Sequence, residues 1–241
     1  MAEQDDITFR SDVTVELVKA VASDADVLYA ARVSTKGESS LEDVNADAER
    51  SRGLINYLMR DRHGSPFEHN SMTFFVSAPI FVFREFMRHR MASYNEESAR
   101  YRQLEPVFYV PGEERNLVQE GKPGAYDFVP GTAEQHRVAR EATIRACTEA
   151  YRAYTEMLEA GIAREVARGV LPVATYSSMY VTLNARSLMN FLSLRTKRPD
   201  STFPSFPQRE IEMVAERMEE EWAALMPLTH AAFDAGGRVA P

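Results

Sequence analysis

Apolar residues recur every three or four positions along several stretches of the chain, and that spacing predicts amphipathic helices. Ile144, Cys147, Tyr151, Tyr154 and Leu158 form one such stripe, which predicts a long helix over residues 132–159, ended by Gly161. Ile211, Val214, Met218, Trp222 and Leu225 predict a last helix over 208–225, and Leu188, Phe191 and Leu192 the inner face of another over 184–195. Leu54, Ile55 and Leu58 do the same for 43–60. Two stretches, 71–77 and 176–183, are instead rich in β-branched and aromatic residues and read as strands.

Proline, glycine and capping residues mark the joints. Ser65-Pro66-Phe67-Glu68 has the form of a helix start: a capping serine, proline in the first turn and a glutamate for a capping box. Pro79 is expected to open a helix through Phe86 that delivers Arg88-His89-Arg90 near its end. Residues 163–169 suit a short helix stopped before Pro172. Residues 105–130 hold four prolines and three glycines and read mainly as loop, as do 195–207 with three prolines. Residues 1–10 read as frayed or edge structure, while 13–23 alternate and then turn helical, leaving strand and helix both open. Strands mix with helices without regular βαβ alternation, which points to α+β, or an irregular α/β sheet with packed helices. No repeat or long linker interrupts the chain, so one domain over 1–241 is expected.

Composition narrows the possibilities. With 44% hydrophobic and 27% charged residues the chain can bury a core without disulfides or metals. A formal net charge of -8 opposes broad nucleic-acid binding, so an anionic ligand must be met by a local arginine cluster. Cys147, the single cysteine, forms no internal disulfide and fits a reducing compartment. Residues 1–12 carry four acidic groups and no long apolar run, unlike a signal peptide, and runs such as 78–83 are too short to span a bilayer. A soluble, cytoplasmic protein is expected, with no membrane partner.

One segment stands out chemically. Between Arg84 and Arg102 lie five arginines, one histidine and three glutamates, interleaved with Ser93, Tyr94, Asn95 and Ser98. Arg88 and Arg90 flank His89 and repel one another unless an anion lies between them. Arginine pairs phosphate through a bidentate fork, and small polar residues in a turn add donors. The segment therefore reads as an anion site or as a solvated charged face. It does not by itself specify a reaction. Cys147 lies mid-stripe with no adjacent base, so it reads as core and not as a nucleophile. Ser98 also lacks a base beside it in sequence and reads as a binder. His63, His69 and His89 lack metal-site spacing, so no metal is expected. His69 suits packing under the strand at 71–77, and His230 the surface.

Arg-His-Arg-x-x-Ser-x-x-x-x-Ser-x-Arg-Tyr, present without a gap as RHRMASYNEESARY at 88–101, resembles the signature of flavin-dependent thymidylate synthases. Seven fixed positions in fourteen residues make the match specific. Three further blocks resemble the family in order: His63 through His69, Arg164-Glu165-Val166-Ala167-Arg168 before Leu171-Pro172, and Asn184 through Phe191 to Arg195. The resemblance implies a homotetramer built on a central, mainly antiparallel sheet with packed helices, whose sites combine residues of neighbouring subunits. It implies conversion of dUMP to dTMP, with 5,10-methylenetetrahydrofolate as carbon donor, NADPH as reductant and FAD as carrier. Carried over by position, Ser65, Arg88, His89, Arg90, Glu96, Asn184, Ala185, Arg186 and Asn190 are expected to hold FAD. Glu85, Arg88, Glu96, Glu97, Ser98, Arg100, Arg168 and Arg195 are expected to hold dUMP, with Arg195 as the catalytic charge. Where the family has a short link after that arginine, this chain runs through a Pro/Ser/Phe-rich insertion to Gln208-Arg209-Glu210-Ile211, with no histidine between Arg195 and Ile211. Hydroxymethylation of a pyrimidine nucleotide by a family variant is the alternative reaction. A non-catalytic nucleotide- or RNA-binding protein is the alternative of another class.

Overall fold

A computed structural model describes residues 7–41, 48–123 and 125–241. They divide into two compact units: one takes in the described residues up to Thr14 with 77–87 and 95–179, the other 15–76, 88–94 and 180–241. The fold is mixed α/β. A four-stranded sheet has the order β2 (Thr14–Val21), β3 (Ser71–Pro79), β8 (Tyr176–Leu183), β4 (Ser93–Glu96). Separately, β1 (Thr8–Arg10) runs parallel to β5 (Val107–Tyr109), and β6 (Val118–Lys122) pairs antiparallel with β7 (Ala125–Val129).

In the first unit the long helix α4 (Ala133–Glu159) starts where Thr132 accepts the Gln135 backbone N–H and Gln135 answers from its side chain, a complete capping box. Gly161, at φ 79°, lets the chain leave in the left-handed region that a side chain disfavours. The helix buries Cys147, Tyr151 and Tyr154 with Phe108 and Ala167, as its apolar stripe requires. The short helix α5 (Arg164–Ala167) and a single 3-10 turn over Arg168–Val170 follow. Before β3 ends and α3 (Ile80–Phe86) begins, Pro79 is the cap residue, as expected of a proline at a helix start.

In the second unit α1 (Asp24–Lys36), α2 (Ala48–Arg60), α6 (Ala185–Arg195), α7 (Arg209–Leu225) and α8 (Pro227–Ala235) pack mainly through apolar faces. Leu188, Phe191 and Leu192 of α6 and Ile211, Val214, Met218 and Trp222 of α7 are buried. Asp24 joins two elements by caging the start of α8: its carboxylate accepts from the backbone of Leu228 and Thr229 at 2.9 Å and from the Thr229 hydroxyl at 2.6 Å. Among the described residues no helix is long and apolar enough to cross a membrane.

Several expectations change. Residues 105–130 are not mainly loop: β5 and the β6–β7 hairpin occupy much of them, with Gly121 at φ 97° near the hairpin's turn, because backbone pairing tolerates a polar strand that apolar patterning misses. The Ser65 start yields one 3-10 turn, Ser65–Glu68, with Gly64 and not Ser65 at the cap position and no side-chain cap. Residues 93–96 form a strand where a loop was expected. His69 is exposed and so is not packed beneath β3, while His230 lies on α8, bonded to Glu219, and is not a plain surface residue. The open stretch 13–23 resolves as β2. Of the stretch 1–10, expected as frayed or edge structure, Thr8–Arg10 form the strand β1, and the helix expected over 43–60 is α2 within the described residues; residues 1–6, 42–47 and 124 lie outside them.

Candidate active site

Of the residues expected at the site, Asn184, Ala185, Arg186, Asn190 and Arg195 lie on α6 or cap it. Asn184 caps the helix, its Oδ1 accepting the Ser187 backbone N–H at 2.9 Å, and the Ala185 backbone N–H donates to Asn70 Oδ1 at 2.8 Å. Arg186, one position further, donates from Nε to the Pro241 backbone oxygen at 2.7 Å and from a second nitrogen to Glu68 at 2.5 Å. Asn190 follows one turn on, its side chain donating to the Arg186 carbonyl at 3.1 Å. Arg62, Glu68, Asn184, Arg186 and Asn190 line a cavity of about 440 Å³ with Met91, Ser187 and residues 240–241. Two guanidiniums, amide side chains and the positive end of an eleven-residue helix supply the donors that a phosphate-bearing cofactor needs. Gly64 lies directly beneath the Arg186 guanidinium: a Cβ there would lie 2.4 Å from Arg186 Cζ and would push the side chain aside.

Arg195 ends the same helix, nine residues beyond Arg186, about 14 Å along the axis. Its Nε donates to His89 Nε2 at 3.0 Å, and the His89 ring stands edge-on to Phe191, one turn earlier on α6, with centroids 4.9 Å apart. That bond draws on the Nε2 lone pair of the ring. Tyr94 steadies the loop by donating from its hydroxyl to the His89 carbonyl at 2.7 Å, and burial pushes that phenol up to about 12, keeping it a donor. Arg88 and Arg90, flanking His89, are exposed, and so is Ser65; none of the three lines the cavity.

The first unit carries most of the residues expected at dUMP. Arg100 Nε donates to Glu165 at 2.6 Å, which ties it to the helix α5 that leads directly into Arg168. Both partners of that pair are about half exposed, so it contributes at most ~1 kcal/mol and yields readily to a stronger anion. Ser98 heads the turn before Arg100: its carbonyl accepts from the backbones of Tyr101 and Arg102, and its hydroxyl from Arg100 N–H. Glu96, on β4, accepts the Ser177 hydroxyl at 2.8 Å. Burial raises the Glu96 carboxyl above its usual range, the Ser177 bond draws it back down, and the charge of Glu97 adds to the rise. Glu97 donates from its backbone to the Ser178 carbonyl at 2.9 Å, and Glu85 is half-buried on α3. Cys147 sits in the core, where burial raises its thiol pKa, the reverse of what a nucleophile needs.

Sequence reasoning missed Arg62, Met91 and residues 240–241 at the cavity. Arg62 lies in a turn after α2 with φ 60°, a backbone state that no local pattern announced, and its NH2 donates to the Ala240 carbonyl at 3.0 Å.

A mixed α/β chain that presents paired arginines, asparagine amides and a helix start to a cavity, with a buttressed arginine at the helix's far end, has the equipment of a nucleotide-handling enzyme. The family model described as thymidylate synthase complementing protein matches residues 16–228, and the chain belongs to that family. It is 68% identical to a flavin-dependent thymidylate synthase of Streptomyces coelicolor, over 100% of this chain and 98% of that protein. It is 61% identical to one of Tropheryma whipplei, over 98% of each. Among solved structures it resembles the UMP/dUMP methylase PolB from Streptomyces cacaoi bound with 5-Br dUMP, with a TM-score of 0.93 and 60% identity over 98% of this chain and 100% of that one.

Proposed function

We infer that the chain is a flavin-dependent thymidylate synthase, converting dUMP to dTMP with 5,10-methylenetetrahydrofolate as carbon donor and NADPH as reductant. The observation that carries this reading is α6, one rigid helix with Asn184, Arg186 and Asn190 at a cavity near its start and Arg195, braced by His89, at its end.

FAD fits the residues present: the cavity offers Arg62, Arg186 and amide donors to a pyrophosphate or ribose, and Gly64 leaves room for the Arg186 guanidinium. Asn184, Ala185, Arg186 and Asn190 would hold it, with Ser65, Arg88, His89, Arg90 and Glu96 completing the set. When bound, FAD would supply the hydride chemistry that links NADPH to the pyrimidine. Everything else falls to this chain's side chains. Arg100 and Arg168 neutralise the dUMP phosphate, Arg100 exchanging Glu165 for a dianion that binds it more strongly. Ser98 and the backbone around Glu96 and Glu97 fix the nucleotide's orientation, with Glu85 and Arg88 alongside. Arg195, always charged, stabilises negative charge growing on the pyrimidine carbonyl as hydride arrives. Cys147 is buried with its pKa raised and does not attack the ring, and Ser98, whose hydroxyl accepts from the Arg100 N–H, acts as a binder.

The residues over 1–241 act as one domain. A homotetramer with sites shared between subunits, in a cytoplasmic setting, completes the proposal. Because the Streptomyces cacaoi relative is a UMP/dUMP methylase, UMP is the second substrate to try. The test is incubation of flavin-loaded enzyme with dUMP or UMP, methylenetetrahydrofolate and NADPH, followed by mass analysis. Gain of one methyl group supports the proposal. A product heavier by one further oxygen indicates hydroxymethylation, and protein that retains RNA but no flavin indicates a binder.

A further inference from the structure

Glu219, His230 and Asp234 bring three ligand-type atoms within 4.8 Å of one another, a spacing that suits a metal ion. A cation from the chain itself already serves them. Arg238, only 5% exposed, donates from NH1 to Glu219 Oε1 at 2.7 Å and also to the Asp234 carboxylate. Its NH2 donates to Glu219 Oε2 at 2.9 Å and to Thr196 Oγ1 at 3.0 Å, and its guanidinium lies over the Phe233 ring at 4.9 Å. A guanidinium with four donor contacts and an aromatic platform is fixed far more firmly than packing alone would need.

Thr196 directly follows Arg195. Besides receiving Arg238, its hydroxyl donates to the Leu192 carbonyl at 2.7 Å, closing the last turn of α6, and its own carbonyl accepts the Ser205 hydroxyl at 2.5 Å. The insertion after α6 is thereby folded back on the same point, and Thr202 N–H adds a bond to the Gly237 carbonyl at 2.9 Å. In the other direction along the chain, Arg238 leads within three residues to Ala240 and Pro241, whose backbone oxygens receive Arg62 at 3.0 Å and Arg186 at 2.7 Å. Arg62 and Arg238 are also the two non-glycine residues with positive φ among those described, at 60° and 59°. Such backbone strain persists only where the surroundings over-determine it, and here it falls on the two arginines that bracket this tail.

We propose that Arg238 is a positioning residue for both ends of α6: through Thr196 it sets the helix end that carries Arg195, and through residues 239–241 it sets the Arg186 guanidinium at the cavity. Neither Arg238 nor its carboxylate partners line the cavity, so Arg238 acts on it only through other residues. The inference rests on the assignment of Arg195 to catalysis and Arg186 to flavin. Its two arms separate experimentally. Thr196→Val cuts the link to the helix end and leaves the tail anchored; Arg238→Met cuts both; Arg238→Lys keeps a charge against Glu219 but cannot reach three partners at once.

The measurements are kcat, the Kd for FAD by titration of flavin-stripped enzyme, and Tm. Arg238→Met is expected to lower kcat at least about tenfold, since small misplacements of a catalytic group carry costs of that order. It should raise the FAD Kd about tenfold, as loss of a hydrogen bond that orients a charged ligand group does. Thr196→Val lowers kcat severalfold while the FAD Kd stays within about twofold of wild type. Arg238→Lys recovers most of the Tm without recovering kcat, a split that a merely structural residue would not produce. Should Arg238→Met fail to fold, Thr196→Val and Arg238→Lys decide alone. Wild-type kcat and Kd in those two variants, or a kcat that simply tracks Tm across the series, overturns the inference. Wild-type enzyme that binds no FAD and makes no dTMP overturns the functional reading first, and this inference with it.

Discussion

Arg195 Nε donates to His89 Nε2, so the cation proposed for catalysis is held by an acceptor that is no carboxylate and adds no negative charge to dilute its field. Arg195→Ala should therefore keep flavin bound, seen in its absorbance spectrum, while kcat falls about 10²–10³-fold, the range for losing one preorganised donor. Near-normal turnover in that variant would remove Arg195 from catalysis. Gly64 makes a second, sharper case. A methyl group there meets the far end of Arg186, a flexible side chain that can move, so Gly64→Ala folds but displaces the guanidinium from Glu68 and Pro241. The FAD Kd is expected to rise about tenfold with little change in Tm; unchanged affinity would show that Arg186 does not hold flavin. Arg100→Ala should raise the KM for dUMP tenfold or more, corresponding to a lost charge-assisted bond of roughly 1.5–3 kcal/mol, with a smaller effect on kcat.

At the scale of elements, the pair formed by α7 and α8 owes part of its hold to Glu219. Burial pushes its carboxyl up, but hydrogen bonds from His230 and Arg238 and the Arg238 charge outweigh burial and bring it down to about 2 from the usual 4.5. A carboxylate depressed by folding stabilises the protein above its unfolded pKa and loses that contribution as pH falls through the folded one. Glu219 should then supply about 3 kcal/mol near neutrality that fades between roughly pH 4.5 and 2. Urea unfolding across that window checks it: wild type loses stability steeply, whereas Glu219→Gln is weaker at pH 7 and flatter below pH 5. A parallel dependence in the two proteins would contradict the assignment. Elements with strong apolar periods were legible from sequence, since β8 and α6 follow directly from residues such as Val181, Leu188 and Phe191, which are all buried. The β6–β7 hairpin was not, because its strands are largely exposed and owe their form to backbone pairing. Nor was α8, whose start is fixed by Asp24, over two hundred residues away in sequence. The same division runs through the site. Local motifs named Arg186 and Arg195, but Arg62 and the 240–241 backbone join them only through long-range bonds that no spacing encodes.

For the molecule as a whole, the negative net charge gives no general attraction to an anion such as dUMP, which leaves that task to local arginines, Arg100 and Arg168 being the ones proposed for it. Light scattering should give a mass four times 27.3 kDa if the proposed tetramer forms; a monomer that still turns over dUMP would contradict the shared site. The central claim is the reaction itself. Flavin-loaded enzyme given dUMP, methylenetetrahydrofolate and NADPH should yield dTMP, identified by mass, with tetrahydrofolate as the folate product and no dTMP when NADPH or flavin is left out. Unchanged dUMP under those conditions, or a hydroxymethylated nucleotide in place of dTMP, would contradict the account.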